Sequence, residues 1–371
     1  MNKKVLIMRN FASKVNIDSY NLQEIGLGKA FVNRGFDCDV IYYHDSNSFE
    51  EVIYKSENRN LTIKWTKAIK FMSNSIYYSL LKKSKLNQYD IIISTEYNQV
   101  MTLLLSILCG DKVYLYHGPY KDNNHNFIQK IYDQIAAPII TKKIAKTFTK
   151  SNLANDFLKT KGFKNLKTVG VGLDIDKLNA SNDKNRFTEL KETSSTTQNL
   201  LYVGVLEDRR NIEFMFKVFS KLVEVRTEVR LTLVGNGKKE DLERYFQLAK
   251  ELNIDGRITH IKQVKQSELK ALYQKSDLFL FPTSYDIFGM VLLESMYFHL
   301  PVISTLNGGS ETLINGNNGI VLDKLNEELW VEKIYNVLCN LELRKQIGEN
   351  AHTKILTEFT WDKIVNKMIL S

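Results

Sequence analysis

One stretch of the sequence, residues 277–305, constrains the fold more than any other. It opens with the apolar run 278–281, which is typical of a buried strand. Apolar residues then recur at helical spacing from Phe288 until Pro301 ends the pattern, and a second apolar run follows at 302–304. Strand, crossover helix and strand form the unit of a parallel sheet covered by helices. The sequence therefore predicts an α/β protein.

The same alternation runs through the whole chain. Six strand-like runs fall in each half, with helix-like segments between most of them. The runs are 5–8, 38–43, 91–94, 113–116, 147–150 and 167–171, then 200–203, 230–234, 257–261, 278–281, 302–304 and 319–322. At 371 residues the chain suits two doubly wound, Rossmann-like domains. We expect them at 1–175 and 176–355, with a connector near 180–199 and a last helix in 356–371.

Composition narrows the class of protein. With 43% hydrophobic and 25% charged residues, the chain is globular rather than disordered or fibrous. Three scattered cysteines fit neither a disulfide framework nor a zinc site, which favours a reducing cytosol. The longest apolar run, 100–109, is far short of the roughly 20 residues that a membrane-spanning helix needs. The expected location is cytoplasmic.

Basic residues are concentrated in the first half. Residues 1–180 hold 26 Lys and Arg against 16 Asp and Glu, so this half carries the whole net charge of +9. Residues 61–86 combine six lysines with aromatic and apolar side chains at helical spacing. This pattern predicts an amphipathic helix that either lies in an anionic lipid interface or faces the core. No nucleic-acid partner is expected, because no recognition module is visible.

Two carboxylates flank the helix of the 277–305 stretch. Asp286 lies just before it and Glu294 eight residues later, about two turns on at roughly 3.6 residues per turn, so both can line one cleft. Gly289 lies between them and allows close approach to backbone N–H groups at the helix start, which suits a diphosphate. On its own, the pattern is equally that of an ordinary crossover helix.

Two adjacent arginines, Arg209 and Arg210, follow a strand-like run and Gly204. Cations are disfavoured at the start of a helix, so their position indicates a ligand. Guanidinium groups bind phosphate oxygens bidentately, and positive charge can stabilise a departing diphosphate without a metal.

Three motifs follow one another in the second half: Asp286-x7-Glu294 with Phe288-Gly289 inside it, Pro301-Val302-Ile303, and Gly308-Gly309-Ser310-Glu311. Their order resembles the donor-site signature of retaining glycosyltransferases of family 4, of the type that builds bacterial polysaccharides. The resemblance implies a GT-B fold, with two Rossmann-like domains facing a cleft. The first domain would bind the acceptor and the second a nucleotide-diphosphate sugar, and the last helix would return to the first domain.

The resemblance also implies residue roles. Glu294 would accept hydrogen bonds from the two ribose hydroxyls, Asp286 would bind hydroxyls of the donor sugar, and His117 would face that sugar. The implied catalytic residues are Asp286, His117 and Arg210, and the implied donor-binding residues are Glu294, Arg209, Arg210, Gly204, Gly235, Val264, Phe288, Gly289 and Met290. Three positions depart from the family: Asp286 stands in place of Glu, Val205 in place of Arg, and Asp18-Ser19 in place of a Gly-Gly pair.

The resemblance thus implies a retaining, metal-independent hexosyltransferase of cell-surface polysaccharide biosynthesis. It would take a UDP- or GDP-sugar as donor and a glycan or lipid-linked saccharide as acceptor, at the inner face of the membrane if the basic half binds lipid. We expect no metal or other cofactor, because the histidines lack metal-ligand spacing. Two alternatives stay open: a nucleotide-sugar epimerase or phosphorylase on the same fold, and a non-catalytic descendant that binds nucleotide or lipid.

Overall fold

A computed structural model describes residues 3–17, 22–71, 73–122, 126–179 and 197–370. The Asp18-Ser19 position and most of the connector expected at 180–199 lie outside these residues. The chain divides into two compact units. Unit 1 comprises Met1–Gly172 and Trp361–Ser371, and unit 2 comprises Leu173–Thr360. The sequence placed the corresponding boundaries at 175 and 356.

The strands of unit 1 are β1 (Lys4–Met8), β2 (Asp37–His44), β3 (Phe49–Ser56), β4 (Arg59–Lys67), β5 (Ile69–Phe71), β6 (Asn74–Ile76), β7 (Ile91–Thr95), β8 (Val113–His117), β9 (Lys146–Thr149) and β10 (Leu166–Thr168). Those of unit 2 are β11 (Gln198–Val203), β12 (Val229–Val234), β13 (Ile258–Ile261), β14 (Leu278–Phe281), β15 (Val302–Thr305) and β16 (Ile320–Leu322).

The α-helices of unit 1 are α1 (Gln23–Val32), α2 (Lys83–Leu86), α3 (Val100–Cys109), α4 (Asn126–Lys143), α5 (Asn152–Thr160) and, at the end of the chain, α14 (Trp361–Ile369). Those of unit 2 are α6 (Ile175–Asn179), α7 (Ile212–Val225), α8 (Lys239–Glu251), α9 (Gln266–Lys275), α10 (Met290–Tyr297), α11 (Gly308–Leu313), α12 (Glu327–Cys339) and α13 (Leu341–Glu358).

Unit 1 is built on a sheet with the strand order β10-β9-β8-β7-β1-β2-β4-β3. Its pairs are parallel except β3 with β4. Every residue of β7 is buried, as expected for a central strand that is covered by helices on both faces. All six runs predicted in the first half are strands of this sheet.

Unit 2 is built on a fully parallel sheet with the order β13-β12-β11-β14-β15-β16. These strands are the six runs predicted in the second half, and the 277–305 stretch forms β14, α10 and β15. The crossover keeps β14 and β15 side by side. The α/β class with two doubly wound sheets is therefore confirmed.

The helix predicted over 61–86 is wrong. This segment contains most of β4, the short hairpin of β5 and β6, and α2. Leu61, Ile63 and Trp65 are buried and alternate with more exposed residues, which is the period of a strand. Lys64, expected to face lipid or solvent, lies 3.1 Å from each of two carboxylates of the same unit. Among the described residues, no helix is long and apolar enough to span a membrane.

The last helix, α14, packs on α1 through Trp361. The Trp361 side chain is buried, and a Cβ atom added to Gly26 of α1 would lie 2.1 Å from its indole nitrogen. A Cβ atom on Gly172 would lie 2.5 Å from the same ring system. Glycine at both positions leaves the space that the indole fills, so the end of the chain is fixed to unit 1.

Candidate functional site

Arg210 and Asp286 form an ion pair in unit 2, with Nη1 2.7 Å from Oδ2. Arg210 lies in the connection after β11, and Asp286 lies in the connection between β14 and α10. Because β11 and β14 are parallel neighbours, both connections leave the carboxyl edge of the sheet, where doubly wound folds bind ligands. The buried Nε of Arg210 has no hydrogen-bond partner among the described residues, which leaves a donor for a ligand oxygen.

The second oxygen of Asp286 caps the turn that opens α10. Oδ1 accepts the backbone N–H groups of Phe288 at 3.1 Å and Gly289 at 2.7 Å. Gly289 has φ +69, in the left-handed region that glycine adopts without steric cost. The prediction of free N–H groups at this turn is therefore wrong for Phe288 and Gly289, because the protein's own carboxylate occupies them. Met290 follows as the first residue of α10.

Glu294 is fully buried in α10 and is held by Tyr273 of α9. The Tyr273 hydroxyl donates to Glu294 Oε2 at 2.9 Å. This contact fixes the carboxylate that was predicted to bind the ribose. Tyr273 was missed by sequence reasoning, since a single aromatic residue in a helix has the same pattern as any core residue.

Gly204 and Gly235 meet at the same edge of the sheet. They follow β11 and β12, and the Gly204 N–H bonds to the Val234 carbonyl at 2.9 Å. A Cβ atom on Gly235 would lie 1.9 Å from the Gly204 oxygen, so this approach requires glycine. Val264 is half-buried in the connection after β13. The structure thus brings these three residues to the edge that carries Arg210 and Asp286.

Arg209 is more exposed than Arg210, and it links the connection after β11 to the connection between β14 and α10. Its Nη1 donates to the Tyr285 carbonyl at 2.7 Å, and its Nε lies 2.6 Å from Glu207 Oε1. The side chain is 43% exposed, so it can turn toward a ligand at little cost in burial.

His117 lies in unit 1, at the carboxyl end of β8. It pairs with Glu96, which follows the neighbouring strand β7, and Nδ1 lies 2.7 Å from Oε2. Both side chains are buried. The Nε2 atom of His117 has no hydrogen-bond partner in the part of the chain that the structure describes. The role of His117 toward a donor sugar stays a prediction.

Glu96 was not predicted, and it is the charged centre of this cluster. Its Oε2 accepts the Gly118 N–H at 3.0 Å, and Lys150 Nζ lies 3.6 Å from Oε1. Burial alone would raise the pKa of the Glu96 carboxyl, but the neighbouring His117 and Lys150 outweigh burial and lower that pKa below its ordinary value. Glu96 therefore stays ionised and holds the imidazole in place.

Comparison with solved structures identifies this architecture as the GT-B fold of glycosyltransferases. The structure of Anabaena Alr3699/HepE in complex with UDP-glucose matches with a TM-score of 0.69 and 12% identity, over 98% of this chain and 98% of that chain. At this identity the likeness shows the fold alone. The GT-B fold implied by the sequence is therefore confirmed.

Residues 183–354 match the family model described as "Glycosyl transferases group 1". The N-acetyl-alpha-D-glucosaminyl L-malate synthase of Bacillus anthracis is 28% identical over 188 residues, which are 50% of this chain and 48% of that protein. The capsular polysaccharide biosynthesis glycosyltransferase CapM of Staphylococcus aureus is 28% identical over 171 residues, 44% of this chain and 43% of CapM. These matches span about half the length of each relative.

Proposed function

We propose that this protein is a retaining, metal-independent glycosyltransferase that moves a sugar from a UDP- or GDP-sugar to a glycan or lipid-linked saccharide during cell-surface polysaccharide synthesis. The observation that carries the proposal is the Arg210–Asp286 pair at the carboxyl edge of the unit 2 sheet, followed along α10 by the buried Glu294. The similarity to CapM and to a structure that contains UDP-glucose supports it.

In the proposed reaction, the bond between the anomeric carbon and the diphosphate oxygen breaks as the acceptor hydroxyl bonds to the same face of that carbon. The acceptor proton passes to the departing diphosphate. Arg210, through the Nε that has no hydrogen-bond partner among the described residues, and Arg209 stabilise the charge that develops there. Glu294, oriented by Tyr273, accepts the ribose hydroxyls, and Asp286 uses its remaining lone pairs for the donor sugar.

Mass spectrometry of products from a panel of nucleotide sugars and lipid-linked acceptors tests the proposal. We expect Arg210→Ala and Glu294→Ala each to lose about 2–3 kcal/mol of transition-state stabilisation, or about 30- to 150-fold in kcat/KM. Arg230→Ala is the matched control, because Arg230 belongs to the same unit and its guanidinium donates to the Gly256 carbonyl at 3.4 Å rather than to a residue of the candidate site.

Three results would replace the proposal with an alternative. An epimerised donor would indicate an epimerase, and phosphate-dependent release of the sugar without transfer would indicate a phosphorylase. Donor turnover that is unchanged by Arg210→Ala and Glu294→Ala would show that these residues serve no catalysis, as expected for a non-catalytic descendant.

The site of membrane attachment in this proposal is helix α4. Its apolar residues Phe127, Ile128, Ile131 and Ile135 are exposed, with Phe127 at 76% and Ile135 at 63%. Their spacing places them on one face of the helix. The basic residues Lys130, Lys142 and Lys143 of the same helix are also exposed. An apolar face with basic neighbours fits the interface of an anionic lipid membrane, where a lipid-linked acceptor would be found.

A further inference from the structure

A cavity of about 460 Å³ opens in unit 1 where β2 and β4 end. We name this cavity the Trp65 pocket. Its lining includes Tyr43, His44, Phe49, Trp65, Lys14 and Asp45. Because β2 and β4 are parallel, the cavity lies at the carboxyl edge of the sheet, where ligands of such folds bind. Its volume is within the roughly 300–1,000 Å³ of small-ligand sites.

The indole of Trp65 is buried but unsatisfied. The side chain is 9% exposed, and Nε1 is buried with no hydrogen-bond partner among the described residues. Indole nitrogen only donates, so this N–H group needs an acceptor, which the described part of the protein does not supply. Buried donors in native proteins are matched, which indicates that an oxygen atom of a ligand or water belongs beside Nε1.

The rings of Phe49 and His44 pack beside Trp65. Phe49 stacks on Trp65 with ring centroids 5.8 Å apart and an interplanar angle of 23°. His44 meets the Phe49 ring edge-on at 5.2 Å. The Phe49 side chain is still 48% exposed, so its outer surface is available to an apolar partner.

The polar rim of the pocket contains the Asp45 carboxylate, which pairs with Lys14 of the lining and with Lys70 outside it. Asp45 lies 2.6 Å from Lys14 and 3.5 Å from Lys70, and it also accepts the Tyr43 hydroxyl. The two lysine charges are therefore already matched in part, and Asp45 would repel a phosphate. Hydroxyl groups, which donate to carboxylates and accept from ammonium groups, fit this rim better.

We propose that the Trp65 pocket binds a pyranose ring of the saccharide acceptor. A pyranose has an apolar C–H face, which packs on Phe49, and a rim of hydroxyls. One hydroxyl oxygen accepts the Trp65 N–H, and others reach Asp45 and Lys14. The proposal rests on the proposed function, since it assigns the acceptor of that reaction to unit 1.

Saturation-transfer NMR of the full chain with the methyl glycosides of glucose, galactose, mannose and N-acetylglucosamine tests this. We expect at least one glycoside to receive saturation at its ring protons. Phe49→Ala removes the packing surface, and Trp65→Phe removes only the N–H donor while it keeps an aromatic ring. Each variant should weaken binding at least about fivefold. Tyr78→Ala, which removes an aromatic residue of unit 1 that is 51% exposed and does not line the pocket, is the control and should bind as wild type.

Titration of the same proteins with UDP separates this proposal from the proposed function. If UDP binds but none of the four glycosides does, the pocket proposal is overturned and the donor site stands. Equal glycoside binding by wild type, Phe49→Ala and Trp65→Phe also overturns it, because the sugar then binds elsewhere. If the glycoside binds in a Phe49-dependent way but UDP does not bind, the pocket stands and the proposed function fails.

Discussion

Glu96 combines a buried charge with a left-handed backbone. Its φ of +60 lies in a region that costs a residue with a side chain about 1–3 kcal/mol. The surrounding structure offsets this cost through three contacts to the carboxylate, from His117, Lys150 and the Gly118 N–H. The carboxylate in turn fixes the imidazole through Nδ1, so that Nε2 remains available to bind another group. Glu96 is therefore a positioning residue for His117.

We predict that Glu96→Gln lowers the free energy of unfolding at neutral pH by about 1–3 kcal/mol, because Lys150 loses its counter-charge and the buried His117 loses the carboxylate that holds it. Folding lowers the pKa of Glu96 from its ordinary value of about 4.5. The stabilisation is therefore fully present above that value and is lost as pH falls through the lower pKa of the folded state. Urea unfolding at pH 7 and at about pH 3 should show the gap between wild type and variant narrowing in acid. A gap of equal size at both pH values would contradict this role for the carboxylate.

Among the elements, α11 sets the position of the turn that opens α10. A Cβ atom on Gly308 would lie 2.3 Å from the Ile287 oxygen, and one on Gly309 would lie 1.7 Å from the Phe288 oxygen. Asn307 caps the helix by accepting the N–H groups of its first turn. The Gly-Gly pair of the motif is thus explained by packing, since it lets α11 contact the backbone of the turn that Asp286 caps.

We predict that Gly309→Ala weakens UDP binding at least about tenfold, because the new methyl group must displace the Phe288 carbonyl and with it the capped turn. Thermal stability should fall as well. Gly256→Ala is the matched control in the same unit, since a Cβ atom there meets nothing within 4 Å. Isothermal titration with UDP measures the effect. Unchanged affinity in a Gly309→Ala protein whose melting temperature has fallen would show that this turn is not part of the donor site.

The strands could be predicted where they are parallel and buried, because such strands are continuous apolar runs that stand out from the sequence. Strands β3 and β4 could not be predicted from the sequence. Their sequences, FEEVIYKS and RNLTIKWTK, mix charged residues into an antiparallel pair at the sheet edge. In the second of them, lysines between apolar residues also fit the spacing of an amphipathic helix, and the helical reading of that segment was wrong.

Residues of the candidate site could be predicted only where they lie close together in the sequence. Asp286, Gly289 and Glu294 lie within nine residues, so their spacing is visible in the sequence. Tyr273 and Glu96 contact partners 21 residues away, at distances set by the packing of different elements. No local pattern records such a contact. The catalytic and donor-binding roles themselves stay predictions until ligand binding is measured.

At the scale of the whole molecule, unit 1 contains both the excess of basic residues and the exposed apolar face of α4. The basic excess falls in residues 1–180, yet two of the six lysines of the 61–86 segment, Lys64 and Lys70, pair with carboxylates and are poor lipid contacts. Helix α4 instead presents Phe127, Ile131 and Ile135 beside exposed lysines. Burying apolar surface yields about 25 cal/mol per Å², and each Lys near an anionic membrane adds about 1 kcal/mol.

We predict that the protein sediments with vesicles that contain anionic lipid at low salt and is released at high salt. The attraction decays within a Debye length, which shortens from about 10 Å at 0.1 M to about 3 Å at 1 M. Replacing Phe127 and Ile131 by Ser should reduce binding at least about tenfold, since both side chains leave the apolar face. Replacing Ile69 and Phe71 by Ser is the matched control, because these residues of β5 are 56% and 57% exposed but lie outside α4. Equal binding by the α4 variant and wild type would show that another surface contacts the membrane, and no binding at low salt would assign the acceptor to solution rather than to a membrane.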